Sequence, residues 1–310
     1  MQEFDAIRPY SDEETAPTIQ RLVNDREFLD MVGRFKSPTV AKWAPGVLRM
    51  FVRRWLVGHF GHYTRVDDMQ AGVSKYVGEL VENTTTRVTH SGLENLSKNS
   101  AHLFISNHRD IVFDPMVVNY LLFQNGFHTT RIAIGDNLLS NRVFAEMMRL
   151  NKSFVVRRNM TSPREMRDAY LTLSGFINHS LDDGHSIWIA QREGRAKNGV
   201  DLTDPAIIKM FFMSRKKEGL GFAEAMNGLR IVPVSIAYEY DPCDVQKARE
   251  LKAVSEDGSY NKSEFEDISS IVAGITGHKG RVHLRFGTPI DRSFDTPEAV
   301  AAEIDRQVLS

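Results

Sequence analysis

Apolar residues recur at three- and four-residue spacing up to about residue 86, and then give way to short β-branched and aromatic runs. The first texture predicts helices over about Thr15 to Phe35, Pro45 to Phe60 and Asp67 to Val81. The second predicts strands over Arg87–Thr89, His102–Ser106, Thr130–Ile134, Ser153–Val156, Ser186–Ala190, Arg230–Ala237 and Arg281–Phe286, alternating with segments of helical period. Such alternation is the signature of an α/β fold, a mostly parallel mixed sheet flanked by helices, here preceded by an N-terminal helical segment. Three helix starts are punctuated. Ser162-Pro163-Arg164-Glu165 reads as a capping box with proline in the first turn, and Thr203-Asp204-Pro205 and Thr296-Pro297 place a capping side chain before such a proline. The polar stretch from Asp241 to Lys262 is expected to be a surface excursion. The expected organisation is a helical region over 1–86 and an α/β domain over 87–310.

Composition narrows the classes. A chain of 310 residues with 42% hydrophobic and 25% charged residues is ordinary for a globular protein. A formal net charge of −1 argues against a surface built wholly for nucleic acid. The single cysteine, Cys243, excludes an internal disulfide and a cysteine-only zinc site and fits a reducing cytoplasm. The start Met1-Gln2-Glu3-Phe4-Asp5 lacks the basic and apolar runs of a secretory signal. No stretch approaches the roughly 20 apolar residues that span a bilayer, so membrane contact would be peripheral, on the cytoplasmic face. One helix suits such contact. Between Pro45 and Phe60, large apolar side chains accompany Arg49, Arg53 and Arg54 without an acid. A packing helix with solvated arginines has the same composition, and both readings stand.

The candidate chemistry centres on Ser106-Asn107-His108-Arg109-Asp110-Ile111-Val112-Phe113-Asp114, where a predicted strand ends. An imidazole there meets solvent while a carboxylate from the following helix fixes its tautomer, as a general base requires. The plainer reading is a helix start capped by Asp110. Four segments follow in order. Gly135-Asp136-Asn137-Leu138 sits at the carboxyl end of a strand, where α/β proteins gather ligands. Lys152 through Arg157-Arg158 ends another strand in cations suited to phosphate. Arg192-Glu193-Gly194-Arg195-Ala196-Lys197 ends a third in three cations around one acid and a glycine. Ile231-Val232-Pro233-Val234 is an apolar strand with a proline, which ordinarily marks an edge strand or a bulge.

In this order the motifs resemble the glycerophospholipid acyltransferase family, in particular its glycerol-3-phosphate and dihydroxyacetone-phosphate branch. Asn107-His108 through Asp114 is similar to the family's first motif. Gly135 to Leu138 with Phe154-Val155-Val156-Arg157-Arg158 is similar to the second, Glu193-Gly194-Arg195-Ala196 to the third, and Ile231 to Val234 to the fourth. The resemblance covers about Arg87 to Ile290. Five residues separate His108 from Asp114 where the family has four, so Asp110 stays a competing partner, and the third motif lacks a residue between Gly194 and Arg195.

The resemblance implies an O-acyltransferase that moves a fatty acyl group from a thioester of acyl carrier protein or coenzyme A to a hydroxyl of a phosphate-bearing glycerolipid precursor. Glycerol-3-phosphate is favoured as acceptor, with a 1-acylglycerol-3-phosphate or another lysolipid as the alternative. Its implied catalytic residues are His108 with Asp114 or Asp110. Its implied substrate-binding residues are Asn107, Arg109, Gly135, Asn137, Lys152, Arg157, Arg158, Arg192, Glu193, Gly194, Arg195 and Lys197. No metal or other cofactor is implied, only the thioester as co-substrate, and no nucleic acid partner. A kinase reading of His108-Arg109-Asp110 fails because Pro115 stands where asparagine is needed, and Ser106 lacks a hydrolase elbow. His179 and His185 have no ligand spacing that would complete a metal site with His108. The rival of another class is a non-catalytic lipid-binding protein on the same fold.

Overall fold

The computed structural model describes residues 2–139, 141–261 and 266–310; Met1 of the acidic start and Lys262 at the end of the expected excursion lie outside them. In chain order the helices are α1 (Asp12–Leu22), α2 (Arg26–Lys36), α3 (Pro38–Trp43), α4 (Pro45–Phe60), α5 (Val66–Thr84), α6 (Phe113–Gln124), α7 (Arg142–Leu150), α8 (Pro163–Asp182), α9 (Pro205–Lys217), α10 (Phe222–Gly228), α11 (Asp244–Asp257), α12 (Glu266–Thr276) and α13 (Pro297–Val308). The strands are β1 (Arg87–Ser91), β2 (Leu103–Ser106), β3 (Arg131–Gly135), β4 (Ser153–Val156), β5 (Ile187–Ala190), β6 (Ile231–Tyr238) and β7 (Arg281–Phe286), within two residues of the limits expected from sequence. They form a seven-stranded sheet in the order β1-β7-β6-β2-β5-β3-β4.

Two compact units make up the chain: residues 1–5, 77–133 and 159–310 in one, 6–76 and 134–158 in the other. In the first, β2 lies between β5 and β6, parallel to both, and all four of its side chains are buried. A strand covered on both faces reads as an unbroken apolar run, which is why Leu103-Phe104-Ile105 was legible as one. The mixed character comes from β7, which runs antiparallel to β6 and parallel to β1. Its alternation of exposed and buried residues marks a strand with one face on the core.

Pro233 departs from expectation. It lies in an interior strand, paired with Ile105 of β2, and its carbonyl accepts from the Gly287 N–H at 2.8 Å. A hydrogen-bonded antiparallel pair exchanges two bonds, and proline can make only one. The missing donor falls where β7 has already ended at Phe286, so the sheet loses one bond at the close of a ladder and none within it.

Two other expectations are corrected. The helix expected from Thr15 to Phe35 is two, because Asp25 turns its carboxylate onto the Phe28 N–H at 3.0 Å and starts α2 afresh. The excursion from Asp241 contains α11, whose polar sequence hid a docked face: Lys247 is 6% exposed. The punctuated starts hold. Ser162, Asp204 and Thr296 accept from the N–H groups of Glu165, Ala206 and Ala299.

The second unit has its own core, in which Ile19, Leu22, Leu29, Val52, Leu56, Met69 and Val143 cluster. Helix α4 is apolar on both sides. Leu48, Val52 and Leu56 face this core, while Val47, Met50 and Phe51 are 53%, 61% and 60% exposed.

In the first unit α13 carries Glu303, 8% exposed, which accepts from Arg292, Arg306 and Gln307. The Arg306 hydrogen bond, opposed by burial and helped by Gln307, holds this carboxyl down at about 2. A depressed carboxyl contributes stability above its unfolded value, near 4.5, that is lost as pH falls through the folded one. Because both arginines are mostly exposed, screening limits this to about 1 kcal/mol. Denaturant unfolding of Glu303→Gln against the parent is expected to show that deficit at pH 7 and a closing gap between pH 4.5 and 2. A gap independent of pH would remove the ionic explanation.

Candidate functional site

The site is built at the carboxyl end of β2. Ser106 ends the strand, its Oγ donates to the Asn107 carbonyl at 2.8 Å, and the Trp188 indole of β5 donates to that Oγ at 3.1 Å. Asn107 turns across the sheet. Its amide donates to the Ile236 carbonyl at 2.9 Å and accepts from the Ile236 N–H at 2.8 Å, which fastens the end of β2 to the outer part of β6. This buried side chain is thereby a latch between strands and not a free ligand group.

His108 follows, with its side chain 15% exposed. Its Nδ1 lies 2.8 Å from Asp114 Oδ2. An ionised carboxylate only accepts, so the proton is on Nδ1 and Nε2 carries the lone pair, a tautomer assigned from the bonding. The ring meets Trp188 edge to face, with centroids 5.5 Å apart.

The competition between the two carboxylates is decided by geometry. Asp110 Oδ1 accepts from the N–H groups of Val112 and Phe113, at 3.0 and 2.8 Å, and so caps the first turn of α6. Asp114, one turn on and fully buried, points back. Its Oδ2 also accepts from the Arg109 and Asp110 N–H groups, at 2.6 and 2.9 Å, and its Oδ1 accepts from the Tyr238 hydroxyl. The segment thus contains both a carboxylate on the imidazole and a capped helix start, each from a different aspartate.

The same surroundings drive the two acids apart. Burial alone would raise the Asp114 carboxyl, but the His108 hydrogen bond and charge and the Tyr238 hydroxyl outweigh it and hold Asp114 below the usual range. Asp110 is raised by burial and then by the nearby Asp114 charge. Lys279, fully buried over the Phe113 ring, is lowered to about 8 by burial against the pull of Asp110.

Three participants escaped the sequence reading. Asp201, 5% exposed, accepts the His108 backbone N–H at 2.7 Å, and burial raises its carboxyl. With the Ala196 N–H donating to the His108 carbonyl at 2.7 Å, the segment after β5 grips the His108 backbone on both sides. Lys247 donates to the Arg109 carbonyl at 2.8 Å and pairs with Asp241. Tyr238 comes from the far end of β6. Each is distant in sequence from His108, and none sits in a motif that could have announced it.

Of the cations expected to bind substrate, Arg109, Arg192, Arg195 and Lys197 belong to this unit. Lys197 is ion-paired with Glu250. Arg195 reaches Ser270 Oγ at only 3.5 Å, and its Nη1 and the Arg109 Nε are buried without a hydrogen-bond partner. Arg192 and Glu193 are exposed, and Gly194 turns with φ +80°, which its lack of a Cβ permits. His179 stacks on Phe4, and His185 lies 3.4 Å from Asp183.

Gly135, Asn137, Lys152, Arg157 and Arg158 lie in the other unit. There the Arg158 N–H donates to Asp136 and its guanidinium to Asn137 Oδ1 at 3.4 Å, in a turn so close that a Cβ on Gly135 would stand 2.6 Å from Arg158 Cζ. Lys152 is ion-paired with Asp67 at 2.7 Å, and Arg157 is exposed.

The Acyltransferase family model matches residues 87–237. The chain is 24% identical over 234 residues to glycerol-3-phosphate acyltransferase of Pseudomonas fluorescens (strain Pf0-1), covering 74% of this chain and 26% of that protein. It is 25% identical over 204 residues to the protein of the same description from strain SBW25, covering 64% and 22%. It thus spans about a quarter of the length of the curated relatives it matches. Among solved structures, the 1-acyl-sn-glycerophosphate (LPA) acyltransferase PlsC from Thermotoga maritima is similar at TM-score 0.44 and 14% identity, over 92% of this chain and 95% of that one. The domain match begins at β1 and ends within β6, enclosing the His108 turn and the motif order that follows it, and over that part, just under half of the chain, the protein is similar to the acyltransferase family.

Proposed function

We propose that the chain transfers a fatty acyl group from an acyl carrier protein or coenzyme A thioester to a hydroxyl of a phosphate-bearing glycerol compound, with glycerol-3-phosphate the first acceptor to test. The observation that carries this reading is the His108–Asp114 pair, whose hydrogen bond leaves Nε2 as the basic nitrogen of a half-buried ring. Nε2 takes the hydroxyl proton as that oxygen attacks the thioester carbonyl. The C–S bond then breaks, and the imidazolium returns the proton to the departing thiolate. A hydroxyl is a weak nucleophile and a thiolate a good leaving group, so help is needed most at the acceptor. A positioned base of this kind contributes about 10²–10⁴-fold. The thioester is a co-substrate, and the proposed transfer calls on no cofactor. Arg109 and Arg195 are the favoured phosphate partners because each buries an unpartnered nitrogen, and Arg192 joins them from the exposed side of the same segment.

A second surface belongs to this reading. Among the described residues no helix is long and apolar enough to cross a membrane. We propose that the exposed faces of α3 and α4 rest instead on an anionic lipid surface. Trp43 is 80% exposed, and Phe35, Val47, Met50 and Phe51 are exposed in the same stretch of chain. Residues 31–60 carry Arg34, Lys36, Lys42, Arg49, Arg53 and Arg54 and no carboxylate. Arg49 is paired with Asp30 at 2.9 Å, and exposed large apolar groups among the remaining cations suit the boundary between head groups and acyl chains.

Turnover with labelled thioesters and a panel of acceptors is expected to give a new ester, and His108→Ala to lower kcat by about 10²–10⁴-fold in a protein that circular dichroism shows to be folded. Retained turnover would remove His108 as the base. Arg195→Ala is expected to raise the acceptor KM about tenfold or more, as loss of a charge-assisted contact does, and an unchanged acceptor dependence would count against the phosphate assignment. Esterification of a lysophosphatidate alone would move the acceptor to that class, and lipid binding without any ester would favour the non-catalytic alternative. In flotation with anionic vesicles at low salt, serine at Trp43, Met50 and Phe51 together is expected to weaken binding about tenfold or more. Parent protein that stays in the soluble fraction would dispose of the lipid surface.

A further inference from the structure

We propose that Tyr238 is a positioning residue that sets the basicity of His108 through Asp114, without itself meeting substrate. The proposal rests on the reading of His108 as the base. Asp114 divides its donors unequally. Oδ2 faces His108 Nδ1 and the N–H groups of Arg109 and Asp110, whereas Oδ1 faces the Tyr238 hydroxyl. In a carboxylate free of water, a donor on one oxygen draws charge from the other. With the phenol in place, less charge is left on Oδ2 to stabilise an imidazolium.

The phenol is held for this purpose by the fold. Asn107, next to His108, clamps the backbone of Ile236 by both its amide atoms. Two residues on, and on the same face of β6, stands Tyr238, its ring edge to face with Phe113 at 5.6 Å. Burial, and then the Asp114 charge, raises the phenol well above its ordinary range, so it remains a donor throughout the working pH. The residue before His108 thus fixes the strand that carries the donor for His108's partner.

Other charged groups face the pair from several elements. Asp110 stands in the turn before α6, and Asp201 and Arg192 come from the segment after β5. Lys247 of α11 acts through the Arg109 carbonyl, and Lys279 before β7 opposes Asp110. None of these touches Asp114 Oδ1 as Tyr238 does, so a change confined to the phenol isolates its effect.

The experiment is an NMR titration of the histidine rings in the intact protein, with the His108 signal assigned by its loss in His108→Ala. Tyr238→Phe removes the donor and is expected to raise the His108 midpoint by about 0.5–1 unit, with the acid limb of kcat/KM moving by the same amount. Replacing Tyr238 with 3-fluorotyrosine, a stronger donor of nearly the same shape, is expected to lower the midpoint. Midpoints unmoved by either change, or moved the same way by both, overturn the proposal. Should Tyr238→Phe fail to fold, the fluorotyrosine protein alone decides, and an unmoved midpoint overturns it. The two readings fail separately. If His108→Ala keeps turnover while the midpoint moves, the coupling stands and the base assignment falls. If His108→Ala abolishes turnover while the midpoint stays, only the coupling falls.

Discussion

A carboxylate with no access to water must be solvated by the chain itself, and Asp114 is such a group. The cost of burying a lone charge is several kcal/mol, so Asp114 is tolerable only where donors converge on it. They come from three places: the His108 ring, the backbone of the turn between β2 and α6, and the far end of β6. The turn must bend tightly enough to aim two successive N–H groups at one oxygen, which explains why Asp110 caps α6 before Asp114 appears on it. The sheet must put β6 beside β2, which the parallel pairing of Leu103 with Ile231 through Ser106 with Val234 accomplishes. Strand order and turn shape are thus both conditions for one ionised group.

His108 is fixed at its backbone as well as its ring. Asp201 and Ala196 hold the His108 N–H and carbonyl, and Lys247 holds the next carbonyl. These contacts come from the segment after β5 and from α11, so two elements far along the chain must be in place before the imidazole is. The first of them also carries Arg192 and Arg195. A ligand that orders those guanidinium groups would therefore act on the same stretch of chain that grips His108, coupled to the imidazole by covalent continuity.

The strands were legible because central strands show as apolar runs and β7 as an alternation, and the helix starts because their caps are local. Asp114 was legible as a candidate, yet letters alone left Asp110 level with it; only the direction of each carboxylate separates a cap from a partner. Tyr238, Asp201 and Lys247 were not legible, since their roles depend on pairing across more than ninety residues of sequence. Lys247 was further hidden by the polar character of α11, where a lysine ordinarily faces water. The break at Asp25 was missed because the apolar period continues across it, while the cap that ends the continuity is a single side chain.

The cations show a different limit. Sequence assigns Lys152, Lys197 and Arg195 alike to an anionic ligand, because charge and proximity to a strand end are all it displays. In the folded chain Lys152 and Lys197 have carboxylate partners, Asp67 and Glu250. Arg195 has a weak hydroxyl contact and a buried nitrogen with none, and Arg109 is similar. A buried donor left without an acceptor costs about 1–3 kcal/mol, and more on a charged group. Asp110, the nearby acid, does not relieve them: its Oδ1 caps α6 and its Oδ2 is itself buried without a hydrogen bond. The unit therefore keeps unmet donors on Arg109 and Arg195, whereas the unmet Asp110 oxygen is packed against Gly274, where even a Cβ would not fit. Unmet donors with no accessible unmet acceptor beside them single out these two arginines, and not the paired lysines, as the groups with hydrogen bonds left to offer an anion.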